Sequence, residues 1–190
     1  MRNLKKFLAL VLAMMMAFSL MVTVNAKDIT ADFSDAESVT EEFQTAIDVT
    51  NGMGILKGYE DGTYKPKNNI RRSEMTALVY RLATGDAKDE SNEIHKNYVT
   101  FKDVATNDWF AGYVGYCQNA ELIKGDGAGN FMPNRDVTGY EALAMILRAM
   151  GYDQNHEFEG TGWQVRVGSI ATQRGILDNI NNTNYSNYYN

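Results

Sequence analysis

The side chains able to do chemistry in this chain are few. Only two histidines are present, His95 and His156, and neither has a second metal ligand at close spacing. The single cysteine, Cys117, has no matched histidine and cannot form an internal disulfide. It falls on an apolar helical face and reads as a buried thiol. The turn Asp126-Gly127-Ala128-Gly129-Asn130 superficially resembles a calcium loop but lacks the alternating acids and the distal glutamate. No catalytic residue, metal or cofactor is therefore expected. What remains is recognition chemistry. Arg72 opens a helical pattern, where free backbone N–H groups favour an anion and a guanidinium can grip a carboxylate with two parallel hydrogen bonds. Lys57 and Lys124 stand in glycine-rich turns and can reach a carboxylate or phosphate. Trp109 and Trp163 offer flat amphipathic faces, and Asp35 and Asp103 can accept from hydroxyls. Each has a structural alternative: Arg72 and the lysines as solvated surface, the tryptophans as core anchors, the aspartates as caps or turn braces.

The bulk charge limits what these groups can bind. Arg2, Lys5 and Lys6 precede an apolar stretch from Phe7 to Val24, and Val24-Asn25-Ala26 offers small residues for cleavage. Residues 1–26 read as a secretory signal removed after Ala26 rather than as a retained membrane span. The remaining chain carries 15 Lys and Arg against 24 Asp and Glu, a formal charge of −9. That excludes the basic face a nucleic-acid partner needs. It also excludes a broad electrostatic grip on a polyanion, so anion recognition must be local, at one or two placed cations.

The elements that position these residues come from a repeat. Residues 52–66 read GMGILKGYEDGTYKP, and residues 119–133 read NAELIKGDGAGNFMP. At an offset of 67, Lys57, Gly58, Gly62, Tyr64 and Pro66 align with Lys124, Gly125, Gly129, Phe131 and Pro133. Phe33-Ser34-Asp35 recurs as Phe101-Lys102-Asp103, and a third copy begins near Phe158, with Trp163 placed 54 residues after Trp109. Each full copy holds two helical patterns. Val39, Phe43, Ala46 and Ile47, then Met75, Leu78, Val79 and Leu82, form core stripes in the first. Phe110, Tyr113, Val114 and Cys117, then Leu143, Ile146, Leu147 and Met150, form them in the second. Two helices cannot bury both stripes alone, so the copies must pack on one another. Glycines in the intervening turn can take positive φ, and Thr138-Gly139-Tyr140-Glu141 forms a capping box. Arg71 stands at the Thr138 position and cannot cap, leaving Ser73 or Asn69 as substitutes.

This pattern resembles the S-layer homology module: F-x-D, an aromatic near the first helix start, G-I/L-x-x-G-x-x-D-G-x-F-x-P, then I-T-R-x-E. The first copy supplies Phe33, Asp35, Gly54-Ile55, Gly58, Asp61-Gly62, Tyr64, Pro66, Ile70, Arg72 and Glu74. The second supplies Phe101, Asp103, Trp109, Gly125, Gly129, Phe131, Pro133, Val137, Thr138 and Glu141. The resemblance implies a mainly α fold of tandem helix–loop–helix modules packed as a pseudo-threefold bundle, with the third module incomplete. The expected division is a signal peptide at 1–26, module one at 27–85, a polar linker at 86–100, module two at 101–152 and a partial module three at 153–190. The resemblance also implies a secreted bacterial protein of the cell wall or S-layer, not an enzyme. Its inter-module grooves would bind a secondary cell-wall polysaccharide, often pyruvylated, through Arg72, Trp109, Trp163, Asp35, Asp103, Lys57 and Lys124. Two alternatives stand beside this: self-assembly in a surface lattice, and service as the anchor of a longer wall-active enzyme. Two departures from the pattern matter. Gly139 replaces the motif arginine in copy two, which should cost that copy's groove its main cation. Copy three lacks its second helix, which should leave Trp163, Val167, Ile170 and Ala171 partly exposed and the tail after about residue 178 labile.

Overall fold

The structure, a computed structural model, describes residues 33–39 and 41–177. The expected signal peptide at 1–26 and the tail after 178 lie outside the described residues. The chain is mainly α. Its helices are α1 (Glu41–Gly52), α2 (Arg72–Thr84), α3 (Ala111–Asn119), α4 (Gly139–Ala149) and α5 (Trp163–Gln173), with short 3-10 helices at Ala36–Ser38 and Asn92–Tyr98. No strand occurs among the described residues, only one antiparallel bridge, between Arg71 and Asp136.

Local chemistry sets the helix starts. At α4 the capping box forms: the Thr138 N–H donates to Glu141 at 2.9 Å and the Glu141 N–H to the Thr138 hydroxyl at 3.3 Å. At α2 only half of it exists, because Arg71 has no acceptor; its N–H donates to Glu74 at 2.8 Å. Neither Ser73 nor Asn69 takes over. The Asn69 amide instead donates to Asp136 at 2.9 Å, and Ser73 is buried.

The glycine-rich turns close in the same way in both copies. Asp35 accepts from the N–H groups of Tyr64 and Lys65, each at 2.8 Å. Asp103 accepts from Phe131 and Met132, each at 2.7 Å. Lys65 and Met132 both sit at positive φ, 57° and 59°, so each carboxylate braces a strained residue and the aromatic before it. Gly58, Gly62, Gly127 and Gly129 take positive φ as expected, whereas Gly125 does not. A Cβ on Gly125 would lie 2.7 Å from the Phe101 ring, so close approach is its reason to be glycine.

The copies interlock through α2. The Arg72 and Ser73 N–H groups donate across the repeat to the carbonyls of Arg135 and Pro133, and Val137 N–H donates to Ile70 at 3.0 Å. α2 then packs on α3 and α4, and α4 on α5. The first core joins Met75, Val79 and Tyr80 of α2 to Val114 and Cys117 of α3, Ile123, Phe131, and Met145 of α4. Burial pushes the Cys117 thiol pKa up, as its place on the apolar face of α3 requires. Ala144 and Leu147 face the other way and meet Phe158, Val167 and Ala171 in a second core. α2 and α4 thus lie side by side at the centre. The place the repeat assigns to a third such helix lies outside the described residues.

Three expectations change. The α5 stripe is better covered than its missing partner suggested: Val167 and Ala171 are fully buried, because α4 and Phe158 cover them. In α1, Ile47 is buried but Phe43 is 48 % exposed, so that stripe is only partly used. The polar segment after α2 is no free tether. Its 3-10 helix Asn92–Tyr98 lies against α3, where Gly112 and Gly115 admit it; a Cβ at either would meet Asn92 or the His95 carbonyl within about 2 Å.

Candidate functional site

The repeat builds two corresponding grooves. Groove one, about 450 Å3, is formed by the copy-one turn, the outer face of α2 and Trp109. Groove two, about 690 Å3, is formed by the copy-two turn, the outer face of α4 and Trp163. Each therefore ends on the tryptophan of the next copy. Trp109 is 57 % exposed, with its edge contacts to Phe110 and Tyr113 beneath it. Trp163 is half-buried and meets Tyr140 edge-on.

Arg72 does not stand in the groove of its own copy. The cross-repeat hydrogen bonds at the start of α2 turn its side chain into groove two. There it is 5 % exposed. Its Nε donates to the Phe131 carbonyl at 2.9 Å, Nη2 to the Lys124 carbonyl at 2.8 Å and Nη1 to Glu141 at 3.1 Å. The solvated, open guanidinium expected at a helix start is replaced by a buried one that braces the next copy's turn, with two of its five N–H groups left over. Burial lowers its pKa, partly countered by Glu141. The consequence for Gly139 reverses too. Copy two's groove keeps a motif arginine because copy one supplies it, so Gly139 does not cost that groove its cation.

The other expected residues are held as follows. Asp35 and Asp103 brace the turns. The Tyr64 amide, ahead of the other groups, holds Asp35 below the usual carboxylate range. Lys57 pairs with Asp89 at 2.6 Å and Lys124 with Glu159 at 2.9 Å, each lysine still over a third exposed. Groove two thus gathers Arg72, Lys124 and Trp163; groove one gathers Lys57 and Trp109.

Several groove residues escaped the motif reading. Arg135 lines groove two, bonded to Glu141 at 2.5 Å through Nη2 and to the Asp136 carbonyl at 3.0 Å through Nη1. Burial works against the Glu141 charge, yet Arg135, the Thr138 amide and Arg72 together hold its pKa below the ordinary value. Arg81 and Arg148, 67 residues apart and so at equivalent places in the two copies, each lie deep in a groove and are locked to an aspartate, Asp89 at 2.8 Å and Asp153 at 2.6 Å. Tyr59 adds an aromatic face to groove one, with Lys65 4.2 Å above its ring. No group of three or more metal-ligating side chains occurs among the described residues.

A tandem α-helical chain with interlocked copies and inter-copy grooves is the class this architecture defines. The family model for the S-layer homology domain matches residues 32–76 and 100–143, so the chain carries two S-layer homology domains. It is 28% identical over 174 residues to a surface layer protein of Brevibacillus choshinensis, covering 91% of this chain and 15% of that protein. It is 28% identical over 186 residues to a cell surface protein of Thermoanaerobacter kivui, covering 95% of this chain and 22% of that one. It is 32% identical over 119 residues to a cellulosome-anchoring protein of Acetivibrio thermocellus, covering 60% of this chain and 26% of that one. The chain thus spans about a quarter or less of these relatives' lengths. The domain and its relatives indicate a location in the cell wall or surface layer.

Proposed function

We propose that this chain anchors a secreted protein to a bacterial cell wall by non-covalent binding of an acidic secondary wall polysaccharide in its inter-copy grooves. The observation that carries this reading is groove two. There Arg72 and Arg135 share the single carboxylate of Glu141, with Lys124 and Trp163 on the walls. Four cations, Arg72, Lys124, Arg135 and Arg148, line the groove against the carboxylates of Asp126, Glu141 and Glu159, which gathers positive charge locally in a chain that is acidic overall, and the indole offers a face for a sugar ring. A pyruvyl ketal fits this chemistry as a carboxylate fused to a pyranose. In this reading Arg72 positions the turn and lends its remaining N–H groups. Trp109 and Lys57 serve groove one, and Asp35 and Asp103 keep both turns in shape.

The purified protein should co-sediment with native peptidoglycan sacculi and lose that binding once hydrofluoric acid strips the secondary polymer. Undiminished binding to stripped sacculi would refute the reading. A second reading has its own support: the chain is 29% identical over 105 residues to an uncharacterized cell wall amidase of Bacillus anthracis, covering 18% of it. Under that reading the same grooves tether a wall-active enzyme encoded in the same frame.

A further inference from the structure

The two grooves are built alike and differ at their floors. In groove two, Glu141 is flanked by Arg72 and Arg135. At an offset of 67, groove one has Glu74 and Asn68 in place of Glu141 and Arg135. No counterpart of Arg72 lines it among the described residues. Glu74 accepts from the Arg71 N–H and has no ion-pair partner among the described residues. The cations of groove one are engaged elsewhere: Lys57 and Arg81 share Asp89, and Lys65 pairs with Asp61. The floor carboxylate of groove one thus has no cation paired to it among the described residues, whereas that of groove two has two guanidiniums on it. The cations of groove two also differ in reach. Arg72 and Arg148 have side chains only 7% and 9% exposed, whereas Arg135 is 37% exposed. The Arg135 Nε is nonetheless buried, without a hydrogen-bond partner among the described residues. The exposed part of the side chain is therefore its Nη end, which faces the groove.

We propose that Arg135 is the specificity-determining cation of this protein, the side chain that makes groove two select a carboxylate-bearing sugar over its uncharged twin. The proposal rests on the wall-polysaccharide reading above. An incoming carboxylate takes the Nη1 and Nη2 N–H groups of Arg135 left over by Asp136 and Glu141, while Arg72 holds Glu141 and the copy-two turn in place behind it. Groove one, with Asn68 at this position, does not distinguish acid from ester.

The test uses the full secreted chain and two probes that differ by one charge: a methyl hexopyranoside bearing a 4,6-linked pyruvyl ketal, and the methyl ester of the same compound. Binding is followed by calorimetry. The wild type should prefer the acid by about tenfold, in line with one charge-assisted hydrogen bond in a partly exposed site, and added salt should erode the preference. R135N, which copies groove one, and R135Q, which keeps more of the side-chain length, should bind acid and ester alike. Their unfolding midpoints confirm that they fold. R135K should recover part of the preference. An acid preference undiminished in either folded neutral variant overturns this proposal and leaves the anchoring reading intact. Equal wild-type binding of acid and ester does the same. Binding of neither probe by the wild type overturns both.

Discussion

Asp35 and Asp103 each hold two consecutive amides of a turn, and the second amide belongs to a residue at positive φ. Removing Asp103 takes away the acceptor of the Met132 amide at an unfavourable φ and leaves the Phe131 amide unmatched. Asp103→Ala should destabilise the protein by about 1–2 kcal/mol, read as a lower urea midpoint with an unchanged slope. Phe131, fully buried beneath the Arg72 guanidinium, is the deeper anchor. Phe131→Ala should cost about 3–5 kcal/mol and loosen groove two with it. Bracing was one of the readings the sequence offered for the aspartates, which stand in the F-x-D opening of each copy, 29 residues before Tyr64 and 28 before Phe131. The place of Arg72 was not legible there. Spacing puts it at a helix start, but whether it turns into its own groove or the next depends on how α2 crosses copy two, which is a tertiary matter. Arg135 gave no signal at all, because Asn68 at the equivalent position breaks the repeat there.

Among the elements, the segment between α2 and α3 departs most from its polar composition. Asp86 accepts from the Tyr80 hydroxyl and the Ser91 and Glu90 amides, and Asp89 clamps Arg81 and Lys57 together. Burial opposes the Asp89 charge, but Arg81 and Lys57 outweigh it and depress its pKa. A carboxylate with a lowered folded pKa contributes stability above its unfolded value, near 4, and loses that contribution as pH falls through the folded value. Stability should therefore fall as pH drops below about 4 and on through the lowered folded value. Asp89→Asn should be less stable at pH 7 and show a shallower acid decline in urea midpoints. The end of α3 offers a gain instead. Glu121 follows it at a φ of 57°, where copy one has Gly54 and copy three Gly175, both also at positive φ. Glu121→Gly should raise stability by about 0.5–1 kcal/mol, visible as a higher melting temperature.

Over the whole molecule, the repeat predicted the helix order, the two full turns and the mutual packing of copies. Periodicity also marked Cys117, Val114 and Val79 as core. It could not show that α4 would face two cores, because a stripe analysis assigns each helix one apolar side. Ala144 and Leu147 on one side and Met145 on the other give it two. For the same reason the cover over Val167 and Ala171 was not visible in advance. At this scale the sacculus assay also gains a control: binding should weaken as ionic strength rises, since its grip is a few local charges rather than a basic surface. Sedimentation indifferent to salt would point to an apolar or lattice contact instead.

Groove two draws its arginine from the first copy, its turn from the second and its tryptophan from the third. Sites and copies are consequently out of phase along the gene. A recombination event that deletes or duplicates one copy does more than subtract or add one groove. It regroups the thirds of neighbouring sites, so that an exchange at a copy boundary can create a new selectivity without any point mutation. Such a chain can change what it holds through the shuffling of whole repeats.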